Sequence, residues 1–431
     1  MQTNMCACPF LGISDDLLCE LVPACRVLLL SQTCRRMRQA VQTGRCGIEV
    51  VLKQSIGSDV RTTLLVPTGI NTIQKHFKIR RFEYHGKIRN VSLKFHEFEE
   101  VSFMHLTTLR LHYCQLKEIS LVYVMHMLTF SQNMRTFEFT QQSLKCRQTE
   151  WLAECIRAFA KLETLNLNLN YFVFDSLGLV LDAVQTTSLS KLELSTNSCE
   201  DNIKTMKLCR VIHTNCITLK TLNLSFMRLF HNSFDLLVDA LSTCRLLESL
   251  DLSQNHLHYG RLMDVLKATA DCKMQSFSWS GNRLGLSGRF VLTDHIIQNK
   301  VWKTTIRELK LGMCDLYDGM ESLSEALTLC TGLQTLDISN NAVYAHEVAN
   351  ILTNTSIHSL NLNSNYISDY GMQLILQRSM KSKTLRDLSV YGNHMTIHTL
   401  RQFRRMRTSK KMTVELPRTC CLCDVCKSIG T

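Results

Sequence analysis

Proline is nearly missing from this chain. Among 431 residues there are four, Pro9, Pro23, Pro67 and Pro417, and none lies between residues 106 and 398. Nothing in that long stretch therefore removes a backbone donor from regular structure. Long apolar runs are missing too: aliphatic clusters such as Val27–Leu30 fall far short of the roughly 20 residues that span a bilayer. No basic segment followed by an apolar stretch opens the chain, so no secretory signal is read. There is no glycine-rich phosphate loop, and no Ser/His/Asp or Cys/His trio recurs in a way that fixes catalytic geometry. An excess of one charge is also lacking over most of the length. Residues 106–395 hold 27 Lys and Arg against 26 Asp and Glu, whereas residues 1–105 hold 14 against 9 and residues 396–431 hold 8 against 2. These totals do not indicate a long basic face suited to nucleic acid. No catalysis, cofactor, bound metal, small-molecule substrate, nucleic-acid partner or membrane span is expected.

What is abundant is repetition. A pattern of the form L-x-x-L-x-L-x-x-N/C-x-L occurs eleven times, starting at Leu106, Met134, Leu162, Leu189, Leu219, Leu247, Met274, Ile306, Leu333, Ile357 and Leu385. The intervals run from 24 to 32 residues, within or close to the leucine-rich repeat range. Pairs such as Leu250-x-Leu252 alternate apolar with polar and place a short strand with one face inward. A polar position follows, filled by Asn170, Asn197, Asn255, Asn282, Asn341, Asn365 and Asn393, with Cys114 and Cys314 in the same slot and Gln142 and Met227 as exceptions. A buried Asn there must bond the backbone of neighbouring repeats. The second half of each unit, as in His346–Leu352, carries the three- and four-residue apolar spacing of a helix.

This pattern resembles the ribonuclease-inhibitor-like class of leucine-rich repeats. The resemblance implies an α/β solenoid, a horseshoe with a parallel sheet on its concave side and helices on its convex side. It does not imply ribonuclease binding, because function in that family sits on the exposed strand face. The expected partner surface is accordingly the outward strand columns: Arg110, Glu138, Asn166, Glu193, Asn223, Asp251, Lys310, Asp337 and Asn361 between the strand leucines, His112 and Tyr391 one column over, and Phe226 and Met313 beyond as bulky anchors. Small hydroxyl and amide groups dominate the second column, so a partner could approach closely. Trp279 replaces a strand leucine and should pack inward.

Twenty cysteines are many. Cys216, Cys244, Cys272 and Cys330 recur at one phase of the repeat, two or three residues before its first aliphatic position, as small buried apolar side chains would. With no secretory signal, that context points to a reducing compartment, the cytoplasm or else the nucleus. The closing Cys420-Cys421-Leu422-Cys423-Asp424-Val425-Cys426 offers one C-x-x-C without a second pair, and no zinc centre is assigned to it.

The chain divides into residues 1–50, a helical N-terminal segment; 51–105, irregular or holding degenerate first repeats, one of them framed on Ile88, Val91 and Leu93; 106–398, the eleven repeats; and 399–431, a capping helix with a basic, cysteine-rich tail. In the first segment Ser14-Asp15-Asp16-Leu17-Leu18-Cys19-Glu20-Leu21, the break at Pro23, and Leu28-Leu29-Leu30 leading to Cys34-Arg35 resemble an F-box. Leu17, Leu18, Leu21, Leu28, Leu30, Cys34 and Arg35 match that family's hydrophobic and Cys-Arg positions. The family's first proline is Ser14 here, its frequent tryptophan is Met37, and the middle is about three residues short. A plain pair of capping helices for the solenoid is the alternative. If it is an F-box, the resemblance implies docking onto a Skp1-like adaptor of an SCF-type ubiquitin ligase while the repeats present a ubiquitylation substrate, with no chemistry performed by this chain. A second reading is a GTPase regulator resembling Ran GTPase-activating protein, although that family's tail is acidic and this one is basic. A stand-alone scaffold is a third.

Overall fold

The computed structural model describes residues 48–53, 79–91, 106–116, 118–142, 144–172, 175–185, 187–199, 201–229, 234–316, 320–410 and 412–416. The F-box-like residues and the terminal cysteines lie outside them. The chain forms two compact units, Met1–Cys199 with Met206–Leu219, and Glu200–Thr205 with Lys220–Thr431.

In the first unit, strands β1 (Ile48–Lys53), β2 (Ile79–Val91), β3 (Thr108–Leu116), β4 (Thr136–Thr140), β5 (Thr164–Asn166) and β6 (Lys191–Glu193) pair in parallel in chain order. Helices α1 (Glu118–Leu128), α2 (Cys146–Ala158) and α3 (Ser176–Val184) connect the last four strands, and α4 (Asn202–Thr214) follows. The second unit repeats the scheme with β7 (Thr221–Asn223), β8 (Ser249–Asp251), β9 (Ser276–Ser278), β10 (Glu308–Lys310), β11 (Thr335–Asp337), β12 (Ser359–Asn361), β13 (Asp387–Ser389) and β14 (Thr413–Glu415). Its helices are α5 (Phe234–Ser242), α6 (Tyr259–Ala268), α7 (Gly285–Gln298), α8 (Lys300–Thr305), α9 (Glu321–Thr328), α10 (Ala345–Asn354), α11 (Asp369–Lys381) and α12 (Ile397–Lys410). Both units are stretches of an α/β leucine-rich repeat solenoid.

The pairing register explains why so short a strand suffices. Leu309, Leu336, Leu360, Leu388 and Val414 stand opposite one another on consecutive strands, so every coil has the same phase. Each three-residue strand from β5 to β13 buries its central side chain, and the apolar residues three before and two after it are buried as well. Each such side chain contributes about 1.5–3 kcal/mol by leaving water. Where bulkier rings replace leucine, they cluster. Phe277 stacks on Trp279 with centroids 6.1 Å apart and packs at 5.4 Å against Trp302, which α8 supplies. The long 32-residue interval between Met274 and Ile306 thus accommodates an extra helix whose tryptophan fills the same core. Trp279 is fully buried, as its place in the repeat requires.

After each strand the polar ladder takes over. Asn365 donates from Nδ2 to Ile338 O (3.1 Å) and Leu362 O (3.0 Å), and its Oδ1 accepts from Asn341 N (2.9 Å) and Val343 N (3.4 Å). Asn170, Asn197, Asn255, Asn282, Asn341 and Asn393 are likewise buried and bonded to the coil before them. The residues on either side of the ladder position turn left-handed, as in Gln254 (φ 58°) and His256 (φ 55°), or Ser364 (φ 55°) and Tyr366 (φ 57°). A side chain in that region costs roughly 1–2 kcal/mol, and the ladder bonds hold it there.

In β2 the register sets Phe82 beside Leu109 and Tyr84 beside Leu111. After α12, β14 adds a coil beyond the eleven repeats of the sequence and buries Met412 and Val414. The helix holding Leu400, Phe403 and Met406 is therefore followed by a further strand rather than ending the array. The recurrent cysteines behave as small core residues: Cys244, Cys272 and Cys330 are buried, Cys216 is half-buried, and all four are free thiols.

Candidate functional site

Alternation along a strand puts residues i, i+2 and i+4 on one face. The outward face of each coil therefore carries three columns around the buried leucines.

In the first unit most of the expected partner residues are engaged by neighbours on the same face. Arg110 Nε donates to Glu138 Oε1 at 2.8 Å. Glu193 receives Lys191 Nζ at 2.8 Å and Asn168 Nδ2 at 3.1 Å. Asn166 Oδ1 accepts the backbone N–H of Asn168 at 3.0 Å. His112 belongs to β3, but its side chain lies outside the described set. This face is largely closed by its own pairs.

The second unit shows a structural use for the column between the leucines. Asn223, Asp251, Asp337 and Asn361 each turn a side-chain oxygen onto the N–H two residues later, at 3.0, 2.9, 2.9 and 3.1 Å. A three-residue strand ends there, and these side chains satisfy the donor exposed as the chain leaves the ladder. Asp337 also accepts Asn361 Nδ2 through its other oxygen at 3.0 Å. Lys310 pairs with Glu308 at 2.9 Å.

Beside this engaged column lies a floor of small groups, Ser225, Ser253, Ser280, Gly312 and Ser339. Ser253 Oγ and Ser278 Oγ are 2.5 Å apart, and Gly312 N donates to Ser280 Oγ at 3.1 Å. A Cβ on Gly312 would sit 2.9 Å from Ser339 Oγ, so glycine keeps the floor flat. One column further, Phe226 and Met313 stand 52% and 54% exposed. Between them Gln254 lies over Gly281 and brings its Nε2 to 3.7 Å from Met313 Sδ. Any Cβ at Gly281 would meet the Gln254 amide within 2.5 Å, and the left-handed φ of +71° also calls for glycine. Phe226, Gln254 and Met313 thus border the serine floor over β7 to β10. Three strand spacings make that border about 14 Å long. Tyr391, 53% exposed, stands two coils beyond β11 and is not joined to this strip by any contact shown.

The sequence reading missed the third outward column, which precedes the central leucine: Thr221, Ser249, Ser276, Glu308, Thr335, Ser359, Asp387 and Thr413 in this unit. The same alternation would have found it. It also missed Gln254, whose part depends on the glycine in the next coil. Glu308 is held below the usual carboxylate range by Ser276 and Lys310, which outweigh its partial burial. Among the described residues, no group of three or more His, Cys, Asp or Glu side chains could hold a metal ion. No described helix is long and apolar enough to cross a membrane. The strip offers exposed apolar side chains beside hydroxyl and amide groups.

No protein-family model and no curated protein sequence matches this chain. Solved structures do. The chain is similar to a yeast complex of Rad7 and Elc1, at 14% identity and a TM-score of 0.51 over 80% of this chain and 81% of that one. It is also similar to the leucine-rich repeat-containing protein LegL7 from Legionella pneumophila, at 21% identity and a TM-score of 0.42, covering 59% of this chain and 81% of that one. These likenesses bear on the fold alone.

Proposed function

We propose that the chain is a non-catalytic recognition subunit: the strand face of its second unit binds a protein substrate, and its N-terminal segment joins it to a Skp1-like adaptor of an SCF-type ubiquitin ligase. The observation that carries the first half is the border of Phe226, Gln254 and Met313 over a serine floor. Exposed apolar anchors beside small polar groups are the composition of a binding surface, where a few bulky side chains supply most of the affinity. The second half rests on the F-box-like positions Leu17, Leu18, Leu21, Leu28, Leu30 and Cys34. A chain of similar fold is solved in a complex of Rad7 and Elc1, which agrees with an adaptor role. The contribution would be proximity, raising the effective concentration of substrate near the transferring subunits.

The test uses the full chain mixed with a purified Skp1-like protein. Co-elution in size-exclusion chromatography that disappears with Leu17→Asp/Leu18→Asp and survives Phe226→Ala/Met313→Ala supports the reading. No co-elution at micromolar concentrations removes the ligase link.

A further inference from the structure

The near-neutral total over the repeats conceals a local imbalance. Where α11 ends and the chain turns into β13, Lys381, Lys383 and Arg386 are exposed. One coil on, the last turns of α12 expose Arg404, Arg405 and Arg407 before β14 begins. Helix ends and strand starts lie on the same edge of a coil, and β13 pairs directly with β14. The six cations therefore share one edge of the last two coils of the second unit. Elsewhere in that unit several cations are paired, Arg245 with Asp271, Arg261 with Asp235, and Lys220 with Glu248. None of these six forms an ion pair among the described residues. Arg404 and Arg407 are also like charges three apart on one helix, which opposes helix formation by a few tenths of a kcal/mol. The carboxylates nearest in sequence, Asp387 and Glu415, are the first residue of β13 and the last of β14.

We infer that this edge binds the phosphate backbone of duplex nucleic acid, without reading its sequence. Three properties of the six cations point to phosphate. They are unpaired, they are gathered on adjacent coils, and three are arginines on one helix, whose planar forks suit phosphate oxygens. A protein partner would want apolar anchors at the centre of its interface, and beside these cations Met380, in the last turn of α11, is the one large apolar side chain exposed. Single strands are held by stacking on aromatic side chains. The exposed Tyr366, Tyr370 and Tyr391 are placed where strands leave and helices begin, on the other edge of their coils. A duplex backbone needs only cations.

The experiment titrates the full chain against a short labelled mixed-sequence DNA duplex by fluorescence anisotropy at several salt concentrations. Six phosphate contacts predict a log–log salt slope of about −5, and a loss of affinity on the order of 10³ between about 50 and 200 mM salt. Arg404→Gln/Arg405→Gln/Arg407→Gln should flatten the slope by about 3. Lys267→Gln/Lys273→Gln/Arg283→Gln, which removes the same charge elsewhere in the unit, should leave the slope within about one of the parent. Glutamine is a good helix former, and an unchanged melting curve establishes that the variants fold. Three results overturn the inference: no duplex binding at about 50 mM salt, equal losses in the two triple variants, or tighter binding to single strands, phosphatidylserine vesicles or polyglutamate than to the duplex.

Discussion

Replacing Asn365 by alanine removes both halves of its hydrogen bonding at once. Its Oδ1 takes the N–H groups of Asn341 and Val343, and its Nδ2 serves the carbonyls of Ile338 and Leu362. Leu362 O keeps a donor in Asn393 Nδ2 at 2.8 Å, so it is not orphaned. The two N–H groups are the main loss. Each buried unsatisfied donor costs about 1–3 kcal/mol, and water entering the small space left by the side chain places the total near the lower end, about 2–4 kcal/mol. In a solenoid such a loss is felt by nearest neighbours. Native-state hydrogen exchange is therefore the assay. The Asn341 and Val343 amides should exchange faster by on the order of 10²-fold or more, since each 1.4 kcal/mol is tenfold. The Asn365 and Ile367 amides, held by Asn393, should change much less. The control is Asn354→Ala, exposed at the end of α10, which should shift stability by no more than about 0.5 kcal/mol. Equal effects of the two variants, or faster exchange on the Asn393 side only, would refute the reasoning.

Two further outcomes follow from burial. His295 packs edge-on against Trp302 at 4.7 Å, and burial pushes its pKa down from 6.5 to about 4. The unfolded chain then binds the proton that the folded chain refuses, so the second unit is at full stability above about pH 6.5 and loses up to about 3 kcal/mol as pH falls to 4; His295→Gln should remove that slope from urea titrations, and a slope that persists sinks the assignment. Among the described thiols Cys146 is exposed, while burial pushes Cys330 up to about 11 and Cys314 up to about 12. A disulfide reagent at pH 8 followed by peptide mapping should label Cys146 rapidly and the other two only after denaturant is added.

The coil frame was readable because burial alone generates it: eleven leucine-type positions and the asparagines that follow them sit where the periodicity puts them. It failed where other residues do the leucine's work. Met412 with Val414 hides β14, and β2 sets Phe82 and Tyr84 in register with Leu109 and Leu111. The site was harder to read. An outward Asp or Asn looks available in a sequence, yet Asp251, Asp337 and Asn361 are occupied by the backbone two residues on, which no periodicity reveals. That Phe226 and Met313 are exposed was legible. Gln254 was not, because its pose is set by the missing side chain of Gly281 in the following coil.

The asparagine ladder also has a direction. Every rung closes the turn made just before it in the chain, and Asn341 and Asn365 leave their own turns to be closed by the next asparagine. During synthesis the newest loop of these coils is thus an unfinished one, waiting for an amide some two dozen residues downstream. Assembly from the ribosome would advance in steps, with a single open rung at the moving front. A pause in translation just ahead of Asn365 would leave Asn341 and Val343 as the exposed point of the nascent protein.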